Sequence, residues 1–403
     1  MGLTLSKPLA ALVTMLWLLA ITLHAPASEL NLQGYIKSYL IAQEGQSNSL
    51  FPLPSLTRSQ NNIRLVLDIF RSHTVWQIHY EVSPLLSSRA ANPFSTNTLP
   101  TAPGYRLTDL DPLLRTSGNK RSVLQNLDRF NVQFQFEGGD LTVGRQAITF
   151  GSARMINPTD VFLPFNLGTL NTEYRIGVDS IRYQKAWGEL GELDAGLVFG
   201  DNAQSRNSAA FIQIKQNFHG NDLKFSFIQF AGQTLVGGGL EGALGNFGVW
   251  LEVASVSGPD DYTRGSVGVD YAFTANTFAM AEYHVSSAGT TETEQYLNHF
   301  ESLAFKTGGV FLLGRHYIIA SLSQTLSPLW QASVQTIQNL DDHSSFTSVS
   351  TNYNVAEDIY LDFGIYLFQG KGFEVNDTLG QFLLGSEYGA TANAVYTSIR
   401  FYF

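Results

Sequence analysis

The last nine residues, Val395 to Phe403 (VYTSIRFYF), alternate strictly between two kinds of side chain. Val, Thr, Ile, Phe and Phe occupy every second position, and Tyr, Ser, Arg and Tyr lie between them. A period of two places successive side chains on opposite faces of a strand, whereas a helix repeats every 3.6 residues. The stretch therefore predicts a β-strand with one apolar face and one polar face.

The same period recurs along almost the whole chain. Each repeat is about 10 residues long, which is the length needed to cross a bilayer at a tilt. A sandwich of shorter strands would carry more Lys and Glu on its polar faces. The pattern therefore indicates membrane-spanning strands. Clear examples are residues 30–40, 63–69, 76–82 and 129–136.

The composition excludes other membrane architectures and most soluble ones. Charged residues make up 14% of the chain, against about 25% in soluble domains. Glycine, small polar residues and 28 Phe, 17 Tyr and 5 Trp take their place. Only one stretch, at the N-terminus, is apolar enough for a transmembrane helix, which needs about 20 such residues. A helical membrane bundle is therefore excluded.

The N-terminal stretch has the pattern of a cleaved secretory signal. Lys7 supplies the positive charge, residues 8–23 are apolar, and Ala25-Pro26-Ala27 precedes the expected cleavage site. We therefore expect a signal peptide at 1–27 and one barrel domain at 28–403, exported through the periplasm. Without cysteines the domain has no disulfides. Its net acidic charge without basic clusters makes nucleic acid an unexpected partner.

Turn signals predict the number of strands. Short turns are expected at 71–73, 137–140, 188–191, 219–222, 244–246, 274–276, 327–328 and 354–358. Longer outer loops are expected at 44–58, 84–126, 151–174, 200–207, 232–234, 257–264, 287–308, 340–344 and 370–392. Together they predict an all-β, closed antiparallel transmembrane barrel of about 18 strands, with 16 as the alternative. A barrel of this size encloses an open channel.

Two stretches carry family resemblances. The terminal strand, ending on Phe401 and Phe403, resembles the C-terminal assembly signal of Gram-negative outer-membrane barrels, which implies the barrel-assembly machinery as a partner. Residues 144–182 resemble a segment of porin-like families, some cytochrome-associated and some of the alginate-export type. The matching motifs are G-R-Q at 144–146, N-P-T-D at 157–160, and Y-R-I-G-V-D at 174–179. This second resemblance names no substrate.

The same region supplies the candidate pore residues. Arg145 and Gln146 are adjacent and would lie on opposite faces of a strand, so one of those faces must be covered. Loop 151–174 would cover it by folding into the lumen, or it would remain a compact outer loop. Loop 84–126 is the competing plug. The proposed constriction residues are Arg145, Arg154, Asp160, Arg175, Asp179 and Arg182, and Asp160 is expected to be held by one or more of Arg145, Arg175 and Arg182.

Charges on the predicted inner faces suggest a field across the lumen. Basic residues occupy early strands (Lys37, Arg64, Arg129, Arg175 and Lys185), and acidic ones occupy later strands (Asp270 and Asp362). Scattered charge is the alternative. Paired carboxylates in loops, such as Asp260-Asp261, would hold divalent cations against lipopolysaccharide, although simple solvation also explains them. Outer-membrane lipids are expected partners, and a homo-oligomer is compatible with the sequence.

The sequence shows no catalytic or cofactor motif. The G-x-G-x-x-G at Gly237, Gly239 and Gly242 lacks the helix that a dinucleotide site needs, so these glycines more plausibly permit a bent or closely approached strand. His79, between Gln77 and Glu81 on one predicted inner face, is expected to be a hydrogen-bonded lumen histidine. We expect no enzyme, no metal and no cofactor.

The function predicted from the sequence is passive diffusion of small polar solutes or ions across the outer membrane. A transducer-driven receptor and a hydrophobic-compound transporter both need an N-terminal plug or hatch, for which the pattern leaves no room. The remaining alternative is a sheath around a periplasmic multihaem cytochrome, whose haem would belong to the partner.

Overall fold

The structure, a computed structural model, describes residues 29–46, 54–89, 104–110, 112–117, 120–162, 173–376 and 381–403. The predicted signal peptide lies outside these residues. Within them, eighteen antiparallel strands close on themselves to form a barrel. The predicted fold class and strand number are therefore confirmed, and the alternative of sixteen strands is wrong.

Of the 21 strands in the described residues, all but the fourth, nineteenth and twentieth belong to the barrel. In chain order the strands are β1 (Glu29–Gln43), β2 (Leu56–Arg71), β3 (Thr74–Ser87), β4 (Leu113–Ser117), β5 (Arg121–Phe136), β6 (Gly139–Gln146), β7 (Val178–Trp187), β8 (Gly191–Phe199), β9 (Ala209–Phe218), β10 (Asn221–Phe230), β11 (Gln233–Leu244), β12 (Phe247–Ser257), β13 (Tyr262–Thr274), β14 (Thr277–Ser286), β15 (His316–Ser327), β16 (Trp330–Asn339), β17 (Ser345–Ala356), β18 (Ile359–Gln369), β19 (Phe373–Asn376), β20 (Gln381–Leu384) and β21 (Ala394–Tyr402).

The terminal strand closes the barrel. β21 pairs with β18 on one side and with β1 on the other. The backbones of Gly34 and Phe403 exchange two hydrogen bonds, of 2.8 and 3.1 Å. A Cβ on Gly34 would collide with the Phe403 ring, so the close approach of the ring requires glycine at position 34. Phe401 and Phe403 stack on each other and remain exposed on the outer face.

The two faces of the strands differ as the alternation predicts. On β12, Leu251 and Val253 are exposed, while Trp250, Glu252 and Ala254 between them are buried. The exposed apolar side chains share the outer face of the barrel, and the buried polar ones share the inner face. An apolar outer surface is what contact with lipid tails requires.

The connections also agree with the prediction. Each of the eight predicted short turns coincides with a connection of two or three residues between neighbouring strands, and these turns share one end of the barrel, here called the turn end. The nine predicted loops lie at the other end, the loop end. Only the loop at 340–344 has the predicted bounds. The largest differences are in three loops: the connection predicted at 84–126 is 88–120, the one at 151–174 is 147–177, and the one at 287–308 is 287–315.

Short helices occur in the connection between β14 and β15. They are α1 (Tyr296–His299) and α2 (Leu303–Thr307). None of the helices in the described residues is long and apolar enough to cross a bilayer.

The barrel wall is incomplete beside β5, because β6 has only 8 residues and β5 has 16. Beyond the end of β6, β4 pairs with the same edge of β5. Residues 104–110 complete the wall beside β7, where the Asp179 N–H donates to the Tyr105 carbonyl at 3.0 Å. The loop predicted at 84–126 therefore contributes part of the wall.

Candidate functional site in the barrel lumen

Residues 147–162, here called the lumen segment, leave the end of β6 and enter the barrel. Gly151 begins the inward turn with φ +123°, and a Cβ there would collide with the Asn157 side chain. Only glycine adopts that conformation without strain. The lumen segment then reaches inward-facing residues of β10 to β16, so it lies inside the barrel.

Glu252 on β12 binds the lumen segment on both sides of its tip, at residues 152–153 and at residue 159. Its Oε2 accepts hydrogen bonds from the backbone N–H groups of Ser152 (2.5 Å) and Ala153 (2.8 Å). Its Oε1 accepts from the backbone N–H (2.8 Å) and the hydroxyl (2.7 Å) of Thr159. The carboxylate is 1% exposed, and these four donors satisfy it. Hydrogen bonds to a charged acceptor are stronger than neutral ones.

Glu282 on β14 holds the tip of the lumen segment. Its Oε1 accepts from the N–H of Ile156 at 2.9 Å, and its Oε2 accepts from those of Met155 (3.1 Å) and Arg154 (3.2 Å). The indole N–H of Trp250 also donates to Oε2, at 2.8 Å. Two wall carboxylates thus bind six backbone N–H groups of a segment that makes no regular strand or helix.

Glycines on β11 make room for the segment. A Cβ on Gly237 would collide with the Thr159 side chain, and one on Gly239 would collide with Ser152. The interpretation of this stretch as a closely approached strand is confirmed, and the strand itself is regular from Gln233 to Leu244.

Residues 173–177, here called the return limb, contact the wall on the side of β1 and β2. Glu173 forms an ion pair with Lys37 and accepts a hydrogen bond from the Tyr402 hydroxyl at 2.8 Å. The Tyr174 ring lies 5.9 Å from the Tyr35 ring and under the Arg64 guanidinium at 4.1 Å. These strands lie six to nine strands away from β12 and β14 around the eighteen-strand barrel. The connection between β6 and β7 therefore contacts opposite walls.

Asp160 and Arg175, two of the predicted site residues, join the lumen segment to the return limb. Asp160 is 2% exposed, and its Oδ2 accepts from Arg175 Nη1 at 2.8 Å. Of the arginines considered for this role, Arg175 is the one in contact with Asp160. Gly309, from the connection between β14 and β15, packs on the Asp160 backbone.

Arg154 extends from the tip of the lumen segment into the barrel. It forms ion pairs with Glu241 at 2.9 Å and Asp270 at 3.5 Å, and its guanidinium lies 5.5 Å from the Trp250 ring centre. The side chain is 44% exposed, so its guanidinium is accessible inside the barrel.

Arg145, Asp179 and Arg182, the other predicted site residues, do not contact Asp160. Arg145 and Asp179 are opposite each other in the β6–β7 register and form a bidentate pair at 2.7 and 3.1 Å. Asp109 also pairs with Arg145, at 2.9 Å. Arg182 forms a second bidentate pair with Asp194, at 2.8 and 2.6 Å.

Of the two faces that Arg145 and Gln146 occupy, the face that carries Arg145 is covered by the other long loop, at Thr108 and Asp109. Residues 104–110 enclose it, because β6 ends early and leaves an unpaired edge there that the other long loop fills. That loop also supports the lumen segment, since the Tyr105 ring packs edge-on against Phe162 with 5.0 Å between ring centres.

The described residues do not show the predicted separation of basic side chains on early strands from acidic side chains on later strands. Arg64 pairs with its neighbour Asp128, and Asp362 pairs with Arg400 on the adjacent strand at 2.7 Å. Lys185 was expected on the inner face, but it is exposed on the same face as Ile181, which is the outer one. Local ion pairs therefore neutralise much of the predicted separation of charge.

Sequence reasoning missed Glu252 and Glu282. Each is a carboxylate between two outward-facing residues, in L-E-V at 251–253 and A-E-Y at 281–283, so its inward position could have been found. Its partners could not, because they lie 93 to 128 residues away. His79 is buried and bonds to Asp68 at 3.1 Å, as expected for a satisfied lumen histidine.

Comparisons with known proteins identify the fold. No protein-family model and no curated protein matches the sequence. Solved structures do match. OccAB2 of Acinetobacter baumannii is 9% identical, with a TM-score of 0.61, and the match covers 93% of this chain and 98% of that one. OprD of Pseudomonas aeruginosa is 10% identical, with a TM-score of 0.55, and the match covers 93% of this chain and 95% of that one. Pseudomonas aeruginosa OccD3 (OpdP) is 8% identical, with a TM-score of 0.51, and the match covers 93% of this chain and 91% of that one. These neighbours are outer-membrane porins, and at such identities the likeness is one of fold.

Proposed function

We propose that this chain, which has the closed 18-strand fold of outer-membrane porins, is a passive diffusion channel for small polar solutes or ions. It resides in the outer membrane of a Gram-negative bacterium, where its apolar outer face contacts lipid. The observation that carries the proposal is the lumen segment, fixed to the wall by Glu252 and Glu282. A barrel with a polar inner face and a fixed internal constriction selects solutes by size and charge.

The constriction is formed by the lumen segment and the return limb together. Asp160 and Arg175 join them, and Arg154 is the exposed charge beside the path. Arg145, Asp179 and Arg182 support the wall from which the segment begins. Their ion pairs position the segment and do not act on the solute.

The alternative, a sheath around a periplasmic cytochrome, requires space for a second protein inside the barrel. Here the chain's own residues occupy that space. Met155 and Ile156 pack with Tyr317, Ile319 and Ile337 of the far wall in one buried cluster. This occupancy supports the channel over the sheath.

Single-channel recording in a planar bilayer tests the proposal. Ser152, Ala153 and Thr159 meet at one carboxylate, so residues 154–158 can be replaced by two glycines without breaking the attachment to Glu252. The shortened protein should conduct more than the natural one and remain resistant to detergent until heated. Absence of conductance in the natural protein would refute the channel, and equal conductance of the two proteins would refute the constriction.

A further inference from the structure

Three neighbouring strands carry only uncharged polar side chains on the turn-end half of their inner faces. These strands are β15, β16 and β17, and the stretches concerned are residues 321–325, 331–335 and 348–354. Every second residue there faces the lumen, because the residues between them, such as Leu322 and Val334, are exposed on the outer face. Each inward-facing residue is Ser, Thr, Gln or Asn, and we call this surface the neutral wall.

The strand register arranges these side chains in three rows. Ser333 of β16 lies opposite Ser323 of β15 and Ser350 of β17, and the rows on either side of it also contain three polar residues each. Opposed side chains of neighbouring strands are about 5 Å apart, and successive rows are about 7 Å apart. The neutral wall is therefore a surface of closely spaced hydroxyl and amide groups, large enough for one or two sugar rings.

An aromatic ring adjoins the middle row. Ser350 also lies opposite Gly364 of β18, which lies opposite Tyr396 of β21. A Cβ on Gly364 would be 2.3 Å from the Tyr396 ring, so the ring lies over the glycine backbone, next to the row. A pyranose has C–H faces, which pack on aromatic rings, and a rim of hydroxyls, which bond to polar groups. Partners for both parts of a sugar are adjacent here.

The neutral wall begins where the contacts of the lumen segment end. Met155 and Ile156 pack with Ile319 and Ile337 in one buried cluster, and the next inward-facing residues towards the turn end belong to the neutral wall. At this boundary the Gln335 amide nitrogen lies 3.7 Å from the Met155 sulfur. The side chains of the neutral wall are half-buried or exposed, so they are accessible inside the barrel next to the proposed constriction.

Charged side chains on the neighbouring and more distant inner faces are paired with each other. Asp362 of β18 forms an ion pair with Arg400 of β21 at 2.7 Å and accepts a hydrogen bond from Asn352 of the neutral wall at 2.6 Å. On β9 and β10, Lys215 pairs with Asp222 at 2.7 Å. A charged solute loses water at an uncharged surface without gaining a counter-charge. A sugar hydroxyl both donates and accepts hydrogen bonds, as does every hydroxyl and amide of the neutral wall.

We propose that the neutral wall and Tyr396 bind uncharged saccharides, so that the channel passes neutral sugars in preference to charged solutes of the same size. The proposal rests on the channel function proposed above and specifies the class of its solute. Hydroxyl and amide groups select the sugar by hydrogen bonds, and the neutral wall has no charge with which an acidic or basic sugar could pair.

Tracer exchange into proteoliposomes tests the solute class. Equal concentrations inside and outside prevent a membrane potential, so neutral and charged probes are compared directly. The probes are glucose, glucuronate and glucosamine at about pH 6, where they are the neutral, anionic and cationic forms of one kind of ring. Ion conductance is recorded on the same preparations.

The double variant Ser333→Ala/Ser350→Ala tests the site. These two hydroxyls lie 2.8 Å apart on the inner face. The matched control is Thr336→Val/Thr347→Val, because these residues also lie opposite each other in β16 and β17, with their hydroxyls 3.0 Å apart, but on the outer face.

In the natural protein and the control, glucose should exchange severalfold faster than glucuronate and glucosamine, and its exchange should saturate. The inner-face variant should need about tenfold more glucose for half-saturation, because two hydroxyl hydrogen bonds are lost. Equal exchange of the three probes, or faster exchange of a charged one, would overturn the saccharide proposal while the conductance still supports a channel. A half-saturating concentration that is the same in all three proteins would overturn the assignment to the neutral wall. Absence of conductance in the natural protein would refute the channel and the proposal with it.

If the inner-face variant does not form a barrel, Gln331→Glu serves instead. It places one negative charge in the neutral wall and keeps the size of the side chain. Relative to glucose, glucosamine should then exchange faster than in the natural protein and glucuronate more slowly. Unchanged ratios would show that solutes do not contact the neutral wall and would overturn the proposal.

Discussion

Substitution of Glu252 by Gln should release the lumen segment while leaving the barrel intact. The carboxylate accepts four hydrogen bonds, two at each oxygen, from Ser152, Ala153 and Thr159. Glutamine has the same size, but one of its two terminal atoms is an NH₂ group. If the NH₂ group takes the place of Oε2, the N–H groups of Ser152 and Ala153 face another donor. If it takes the place of Oε1, the Thr159 N–H faces a donor, while the Thr159 hydroxyl can turn and accept.

The structure sets the size of the effect. A hydrogen bond to a charged group contributes about 1.5–3 kcal/mol, so losing one or two would cost about 1.5–6 kcal/mol. Water in the lumen can satisfy part of the loss, which places the expected cost near 3 kcal/mol. That is a change of about two powers of ten in the ratio of docked to released segment. Glu282 would continue to hold the tip.

Planar-bilayer recording is the assay. We expect Glu252→Gln to show a higher mean conductance and frequent excursions to a wider level, and the double variant with Glu282→Gln to remain mostly at that level. Glu192→Gln is the control, because Glu192 on β8 is bonded to Gln184 at 3.1 Å and does not bond to the described part of the lumen segment. Heat modifiability on gels should be the same for all variants.

One result would refute the reasoning. If Glu252→Gln forms an intact barrel whose conductance and current noise equal those of the Glu192→Gln control, the wall carboxylates do not determine the constriction.

Three further predictions concern other parts of the molecule. Deleting Phe403 removes the two backbone hydrogen bonds to Gly34 and the exposed terminal ring, so outer-membrane insertion should fall severalfold on fractionation, and normal assembly would contradict the assembly signal. Gly239→Val should displace Ser152 and raise conductance, whereas Gly265→Ala, where a Cβ makes only ordinary contacts, should leave it unchanged; equal effects would contradict the close approach. The pore should prefer cations weakly, because most inward charges are paired and the chain is acidic, and reversal potentials should show the preference shrinking as the Debye length falls from about 10 Å at 0.1 M salt to about 3 Å at 1 M. A strong anion preference at low salt would contradict it.

The sequence by itself determined the barrel. A strand's side chains alternate with a period of two regardless of context, so the terminal stretch VYTSIRFYF and its repeats show which residues face outward. Turn residues such as Gly, Asn and Asp favour a turn through their own local conformation. For this reason eight turns and nine loops could be placed and the eighteen strands counted. The sequence indicated the pairing of Asp160 with Arg175 only as one of several possible pairs.

Only the tertiary structure decided how the lumen is filled. Most partners of Glu252 and Glu282 are backbone N–H groups, which every residue except proline possesses. No residue pattern therefore indicates which of them bind the two carboxylates. The enclosure of Arg145 by residues 104–110 depends on where β6 stops, and the bonding of Glu387 to Leu313 and Asn339 depends on how distant parts of the loop end pack together. These contacts exist only once the barrel closes, because closure brings together segments that are separated by many strands along the chain.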